Sequence, residues 1–359
     1  MTADRIPITL VTGFLGSGKT TLIAALLRQP AMSGTAVVVN EAGAVGIDDA
    51  IFAETLDPGD VVLLANGCLC CAAGDDLASA IWALICRPDR PRRIVVETSG
   101  LADPAPALRR LVGDPRVRQA TRLDAVITTV DAPNGLRNLD EHAIAVRQCA
   151  FADRRLITKA DLGHAAGMVA LKERLLALNP GAPVELVSNG AIDAGKLFGA
   201  SLYVAATGRA DVGRWLNLDD YRAQPLRRYE NRDIRFSGAA AHDPSVGAWL
   251  VEEARPIDWE RLSPRLGSIV ARYGDQLLRL KGIIQTAGDP RPLVVHGVQR
   301  LFHSPVRLER PTQNRATAIV VIGDKGAQPA IEAIAEALAS SVAAEPPDPA
   351  RREHLSTHA

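Results

Sequence analysis

Short unbroken apolar runs alternate with amphipathic stretches from residue 6 to about residue 205. Runs such as Ala36-Val37-Val38-Val39 and Ile94-Val95-Val96 carry no polar alternation, as expected of parallel strands buried on both faces. The pattern predicts strands over 6–12, 34–40, 60–64, 93–97, 125–130, 155–158 and 184–188. It predicts helices over 20–28, 75–86, 104–111, 142–151 and 167–179. A first domain over 1–205 is therefore expected to be α/β, a mostly parallel sheet flanked by helices. Residues 206–231 have little periodicity and read as a linker. Beyond them, strands are expected over 234–241, 246–252, 277–286, 293–303 and 316–322, with helices over 259–273 and 329–341. A turn is expected over 287–291, where Gly288 and Pro290 stand. This order predicts a smaller α+β domain over 232–344. The stretch 345–359 mixes Pro346, Pro347 and Pro349 with charges and is expected to be disordered.

Composition narrows the function classes. The 359 residues are 47% apolar, enough for two domains with real cores. Lys+Arg and Asp+Glu balance at 41 each, and aromatics are only 4%, so neither a global basic field nor a stacking platform points to nucleic acid. No apolar run suits a membrane span or a signal peptide. Five cysteines, three of them clustered, argue against a secreted disulfide framework, and a cytoplasmic location is expected.

The chemistry begins directly after the first predicted strand. Gly13-Phe14-Leu15-Gly16-Ser17-Gly18-Lys19-Thr20 fits the phosphate-loop pattern, a P-loop NTPase feature placed between strand and helix. Gly13, Gly16, Ser17, Gly18, Lys19, Thr20 and Thr21 are the expected phosphate-binding positions. Lys19 would contact the β- and γ-phosphates, and the Thr20 hydroxyl would bind Mg²⁺. Ile94-Val95-Val96-Glu97-Thr98-Ser99-Gly100 is the candidate second phosphate motif. Glu97 could reach Mg²⁺ or position the attacking water, and Gly100 would let a backbone N–H approach the γ-phosphate. Thr158-Lys159-Ala160-Asp161 carries the Lys-x-Asp core of a guanine-reading motif. The Asp161 carboxylate can accept from both N1–H and the exocyclic amine of guanine, whereas adenine offers it a lone pair. Lys159 would lie along the base plane.

Cys68-Leu69-Cys70-Cys71 falls between a predicted strand and a predicted helix. Thiolates this close suit a soft or borderline ion, and two or three of them leave an incomplete shell fit for a transferable cargo. Cys68 and Cys70 are the better pair, with Cys71 a third ligand or a support. Glu41, in Asn40-Glu41-Ala42-Gly43, could reach the metal or Mg²⁺, or simply stand in a polar loop. Cys86 and Cys149 read as helix-core residues.

Together these residues resemble the CobW-type metallochaperone GTPases, relatives of the GTPases that mature urease and nickel hydrogenase. The resemblance rests on Gly13 to Thr21, Asn40-Glu41 with Gly46-Ile47-Asp48, the Cys68/Cys70/Cys71 triplet, Glu97 to Pro104, and Lys159 with Asp161. Leu278 to Gly282 and Val294 to Gln299 look like that family's C-terminal domain. It implies GTP hydrolysis coupled to delivery of Zn²⁺, Co²⁺ or Fe²⁺ to a client metalloprotein. It implies too that Lys19 and Glu97 serve hydrolysis. Two departures stand out: Ala42 follows the Asn-Glu pair where many members carry Phe, and His242 stands nearly alone where many carry a His-rich run. A nucleotide-dependent protein switch whose cysteines only shape a loop is one rival. A P-loop small-molecule kinase or ligase is another, which Asp161 argues against. The sequence names neither the metal, the client nor the oligomeric state.

Overall fold

The computed structural model describes residues 5–40, 61–63, 75–188, 190–198, 203–204, 209–210, 215–229, 232–237, 246–302, 305–312 and 314–343. Over these residues the first sheet comprises β1 (Ile6–Gly13), β2 (Thr35–Asn40), β3 (Val61–Leu63), β4 (Arg93–Thr98), β5 (Thr121–Asp131), β6 (Arg154–Thr158) and β7 (Val184–Leu186). Their order is β3-β2-β4-β1-β5-β6-β7, and every neighbouring pair is parallel.

Alternate side chains of the apolar runs feed opposite faces, which is why the runs need no polar alternation. Ile8, Leu10, Val38 and Val96 enter one cluster, whereas Val11, Val37, Val39 and Val95 enter another. The Lys19–Leu27 helix covers the second cluster through Leu22, Ile23 and Leu26. The helices Asp75–Ile85, Pro104–Gly113, Ala143–Phe151 and Ala165–Leu178 cover the first, through Ile81, Leu108, Phe151 and Leu175.

The C-terminal part begins earlier than the sequence suggests. A small ribbon pairs β8 (Tyr203–Val204) with β9 (Arg209–Ala210). The helix Leu218–Arg222 and β10 (Leu226–Tyr229) follow, both inside the expected linker. Leu216, Leu218 and Tyr221 are buried, so residues 216–221 are packed structure; three apolar residues spaced two and three apart were too few to show a period. β10 is the first strand of a second, antiparallel sheet. It continues with β11 (Arg232–Ser237), β12 (Val246–Glu253), β13 (Leu277–Thr286), β14 (Asp289–Val298), β15 (Leu301–Phe302), β16 (Val306–Arg307) and β17 (Thr317–Asp324). Its order is β10-β11-β12-β17-β13-β14-β15, with β16 also on β14.

The β13–β14 hairpin is tighter than expected. Thr286 pairs with Asp289, so the turn is only Ala287-Gly288, with Gly288 at φ +79°. The strand expected over 293–303 instead breaks at Gln299, whose φ of +49° turns the chain before β15. Residues 238–241 and 345–359, expected as strand end and disordered tail, lie outside the described residues.

One face of the second sheet shares a core with the first domain. Ala248, Leu250, Leu278 and Ile322 join the cluster that contains Val146, Ala150, Leu171 and Leu178. The other face carries Trp249, Leu280, Ile319 and Val321 against the helices Trp259–Tyr273 and Gln328–Ser340. The layers therefore run helix, sheet, helix, sheet, helix, and the middle helices serve both sheets. Among the described residues no helix is long and apolar enough to cross a membrane.

Candidate nucleotide site

The phosphate loop leaves β1 at its carboxyl end, and the helix after it begins at Lys19. Gly13, Gly16 and Gly18 all have positive φ, at 144°, 70° and 83°. At Gly13 space is also decisive, because a Cβ there would lie 2.3 Å from Thr129 Oγ1. Hydroxyls lace the loop to its neighbours. Ser17 Oγ and Thr129 Oγ1 are 2.7 Å apart, and Thr98 donates to Thr12 at 2.8 Å. Thr158 Oγ1 donates to the Ser17 carbonyl at 2.7 Å.

Lys19 is buried, and its Nζ donates to the Gly13 carbonyl at 3.1 Å, which holds the ammonium over the loop's concavity. Thr20 Oγ1 donates to Glu97 Oε1 at 2.8 Å. Glu97 is 4% exposed at the end of β4, so it is no solvated strand end. Thr21 is exposed in the first turn of the helix. Gly100 is buried against the phosphate loop, where a Cβ would sit 2.8 Å from the Leu15 backbone. The second phosphate motif and the phosphate loop thus touch.

Lys159 follows β6 in the left-handed region at φ 53°. Its Nζ donates to the Gly16 carbonyl at 2.7 Å and to Asp131 Oδ2 at 3.1 Å, so the segment after β6 grips the phosphate loop. Asp161 is exposed in the following 3₁₀ turn. Asp131 was missed by sequence reasoning. It ends β5, one residue past the predicted strand, and is fixed by the Asn134 backbone N–H at 2.8 Å. Its position at the carboxyl end of a parallel strand, on the edge that carries the phosphate loop, was the available signal.

Gln148 was missed too. It is fully buried in the Ala143–Phe151 helix, and its Nε2 donates to the carbonyls of Gly100 (3.1 Å) and Ala102 (3.0 Å). Nothing in the sequence distinguishes it from an ordinary helix glutamine. Asp103, next along, caps the Pro104–Gly113 helix through the Ala105 N–H at 2.9 Å and pairs with Arg147 at 2.9 Å.

Cys68, Cys70, Cys71 and Glu41 lie outside the described residues. The strands that lead to them do not. Leu63 is in register with Val39, Val39 with Glu97, and Glu97 with Val11. The chain therefore leaves β2 and β3 at the edge from which the phosphate loop leaves β1. Among the described residues no three His, Cys, Asp or Glu side chains cluster as a metal site. Cys149 is buried as expected, its thiol pushed up to about 12 by burial. Cys86 is not a core residue. The helix stops at Ile85, and Cys86 is exposed just beyond it.

Comparison with known proteins agrees with this architecture. Residues 7–185 match the family model for the CobW/HypB/UreG nucleotide-binding domain, and residues 246–341 match that for the cobalamin synthesis protein cobW C-terminal domain. The chain is 33% identical over 303 residues to the zinc chaperone YjiA of Escherichia coli, covering 83% of this chain and 88% of that protein. It is 31% identical over 362 residues to the zinc chaperone CobW of Pseudomonas aeruginosa, covering 92% and 90%. The crystal structure of Zn(II)-bound YjiA GTPase superposes with a TM-score of 0.60 at 26% identity, over 95% of this chain and all of that one. The chain belongs to the CobW family, a P-loop GTPase domain of the CobW/HypB/UreG type joined to a CobW C-terminal domain.

Proposed function

We propose that this protein hydrolyses GTP and uses the change in nucleotide state to take up zinc at Cys68, Cys70 and Cys71 and release it to a client metalloprotein. The observation that carries the proposal is the shared sheet edge. The ends of β3 and β1 are three strand spacings apart, roughly 14 Å. Cys68 is five residues beyond Leu63, a reach of roughly 17 Å when extended. Sulfur and triphosphate can therefore meet at one rim. The names of the relatives, zinc chaperones and a zinc-bound GTPase, agree with zinc as the cargo.

The residues of this site fit Mg²⁺, because the Thr20 hydroxyl and the Glu97 carboxylate, 2.8 Å apart, put two hard oxygens side by side. Thr20 can keep its proton on Glu97 and still offer an oxygen lone pair. Mg²⁺ bound there would offset charge on the β- and γ-oxygens of GTP. Lys19, held over the loop, would complete the charge compensation, and the Gly100 N–H would meet the γ-phosphate. Asp161 would read guanine, with Lys159 stiffened by Asp131 and Gly16. Loss of the γ-phosphate then releases the segments beyond β2 and β4, and the thiolate geometry relaxes with them.

The test is zinc affinity by competition with a chromophoric chelator, in the presence of Mg²⁺ and either a non-hydrolysable GTP analogue or GDP. The two states should differ by about 5–150-fold. Cys68→Ala should lose the bound zinc. Equal affinities, or undiminished zinc in Cys68→Ala, would exclude the coupling.

A further inference from the structure

The Ala143–Phe151 helix touches the nucleotide site at one end and the C-terminal sheet at the other. At its start the His142 ring stacks on Phe14 of the phosphate loop, with centroids 4.5 Å apart and planes at 18°. At its middle, Gln148 holds the Gly100 and Ala102 carbonyls, and the neighbouring Arg147 holds Asp103. At its end the Phe151 carbonyl accepts from Arg279 Nη1 at 2.6 Å. Two residues on, Asp153 takes Arg279 Nη2 at 2.8 Å and also pairs with Lys281.

These last partners belong to β13 of the second sheet. Lys281 in turn donates to the Trp215 carbonyl at 3.2 Å and lies 5.0 Å from the centre of the Trp215 ring. Nine residues of helix span about 13 Å and transmit displacement as a rigid rod. On the nucleotide reading, the Gly100 segment is the part that loses its partner when the γ-phosphate leaves, and Gln148 is bonded to it directly.

We propose that Gln148 is a positioning residue, and that the Ala143–Phe151 helix carries the state of the Gly100 segment to Arg279, Lys281 and Trp215 of the C-terminal part. The proposal rests on the nucleotide reading above. It assigns a regulatory contact that zinc binding at the cysteines does not need. A purely structural glutamine would matter for stability alone. A positioning one makes the C-terminal part respond to nucleotide and makes nucleotide affinity respond to the C-terminal part.

The test uses the full chain labelled with 5-fluorotryptophan, with the Trp215 resonance assigned through Trp215→Phe. In the parent protein that resonance should move between GDP and a non-hydrolysable GTP analogue. In Gln148→Leu the movement should be lost while both nucleotides still bind. Gln148→Glu, of the same size but without the donors, should behave alike and serves if Gln148→Leu does not fold. In the reverse direction Arg279→Gln should change the ratio of affinities for the GTP analogue and GDP by at least about fivefold. The Gln148→Leu and Arg279→Gln effects on that ratio should not multiply in the double variant. A Trp215 resonance identical in both bound states, or a shift that survives both Gln148 variants, or multiplying effects, would overturn the proposal. Failure of the parent to bind either nucleotide would instead sink the functional reading itself, together with this one.

Discussion

Thr158 stands where the guanine-reading motif usually carries asparagine, and its bonds show what survives the exchange. Its hydroxyl donates 2.7 Å to the Ser17 carbonyl, so the position still ties the base segment to the phosphate loop. It has no amide to offer a base. On the proposed reading selectivity falls on Asp161, which is exposed. Asp161→Asn should weaken GTP binding by at least about tenfold, the worth of a charge-assisted hydrogen bond. It should improve binding of xanthosine triphosphate, whose carbonyl replaces the guanine amine and can accept from the new amide. Competition against a fluorescent nucleotide measures both, and an unchanged GTP affinity would mean that another group reads the base.

At the scale of elements, the start of the Pro104–Gly113 helix depends on the Asp103 cap. Asp103 satisfies the Ala105 N–H and holds Arg147 of the neighbouring helix, so it fixes both where the helix starts and where the Gly100 turn sits. Asp103→Ala should cost about 1–2 kcal/mol in urea unfolding. Asp103→Asn, which keeps the cap, should recover most of that loss; equal losses would show that the Arg147 pair matters more than the cap. The central strands of the first sheet were legible because they are runs buried on both faces, as Val37 to Val39 and Ile94 to Val96 are. The phosphate loop was legible because its chemistry is contiguous. Thr129 was not, because it meets the loop across 112 residues of sequence and only the strand order brings it there; nor were Asp131 and Gln148, which bond Lys159 and Gly100 from 28 and 48 residues away. The 206–231 segment was misread for a related reason: its buried Leu218 and Tyr221 pack on partners far away in the chain, not on a local repeat.

Across the whole molecule, the clamp of Asp153 with Arg279 and Lys281 joins the two sheets at a site where the Asp153 side chain is only 10% exposed. Burial pushes its carboxyl up, but the two cations outweigh that and hold it at about 2. A depressed carboxyl contributes fully above the ordinary aspartate range and loses that contribution as pH falls toward its folded value. Stability should therefore drop by about 2 kcal/mol between pH 4 and pH 2 on this account. Lys281 runs the other way: burial pulls its ammonium down to about 8, so its term grows more favourable as pH rises past that value. Asp153→Asn leaves two buried cations without their carboxylate and should cost about 3–5 kcal/mol at pH 7. The gap between parent and variant in urea midpoint should narrow in acid, and a gap constant from pH 5 to pH 2 would refute the assignment. The strand directions carry one more implication. Each neighbouring pair in the first sheet is parallel and must wait for a long crossover to close, whereas β13 and β14 meet across two residues. Distant pairings form slowly and local ones quickly. The first sheet is thus expected to close more slowly than the β13–β14 hairpin, and the middle helices, which share a core with both sheets, complete their burial only when both are present.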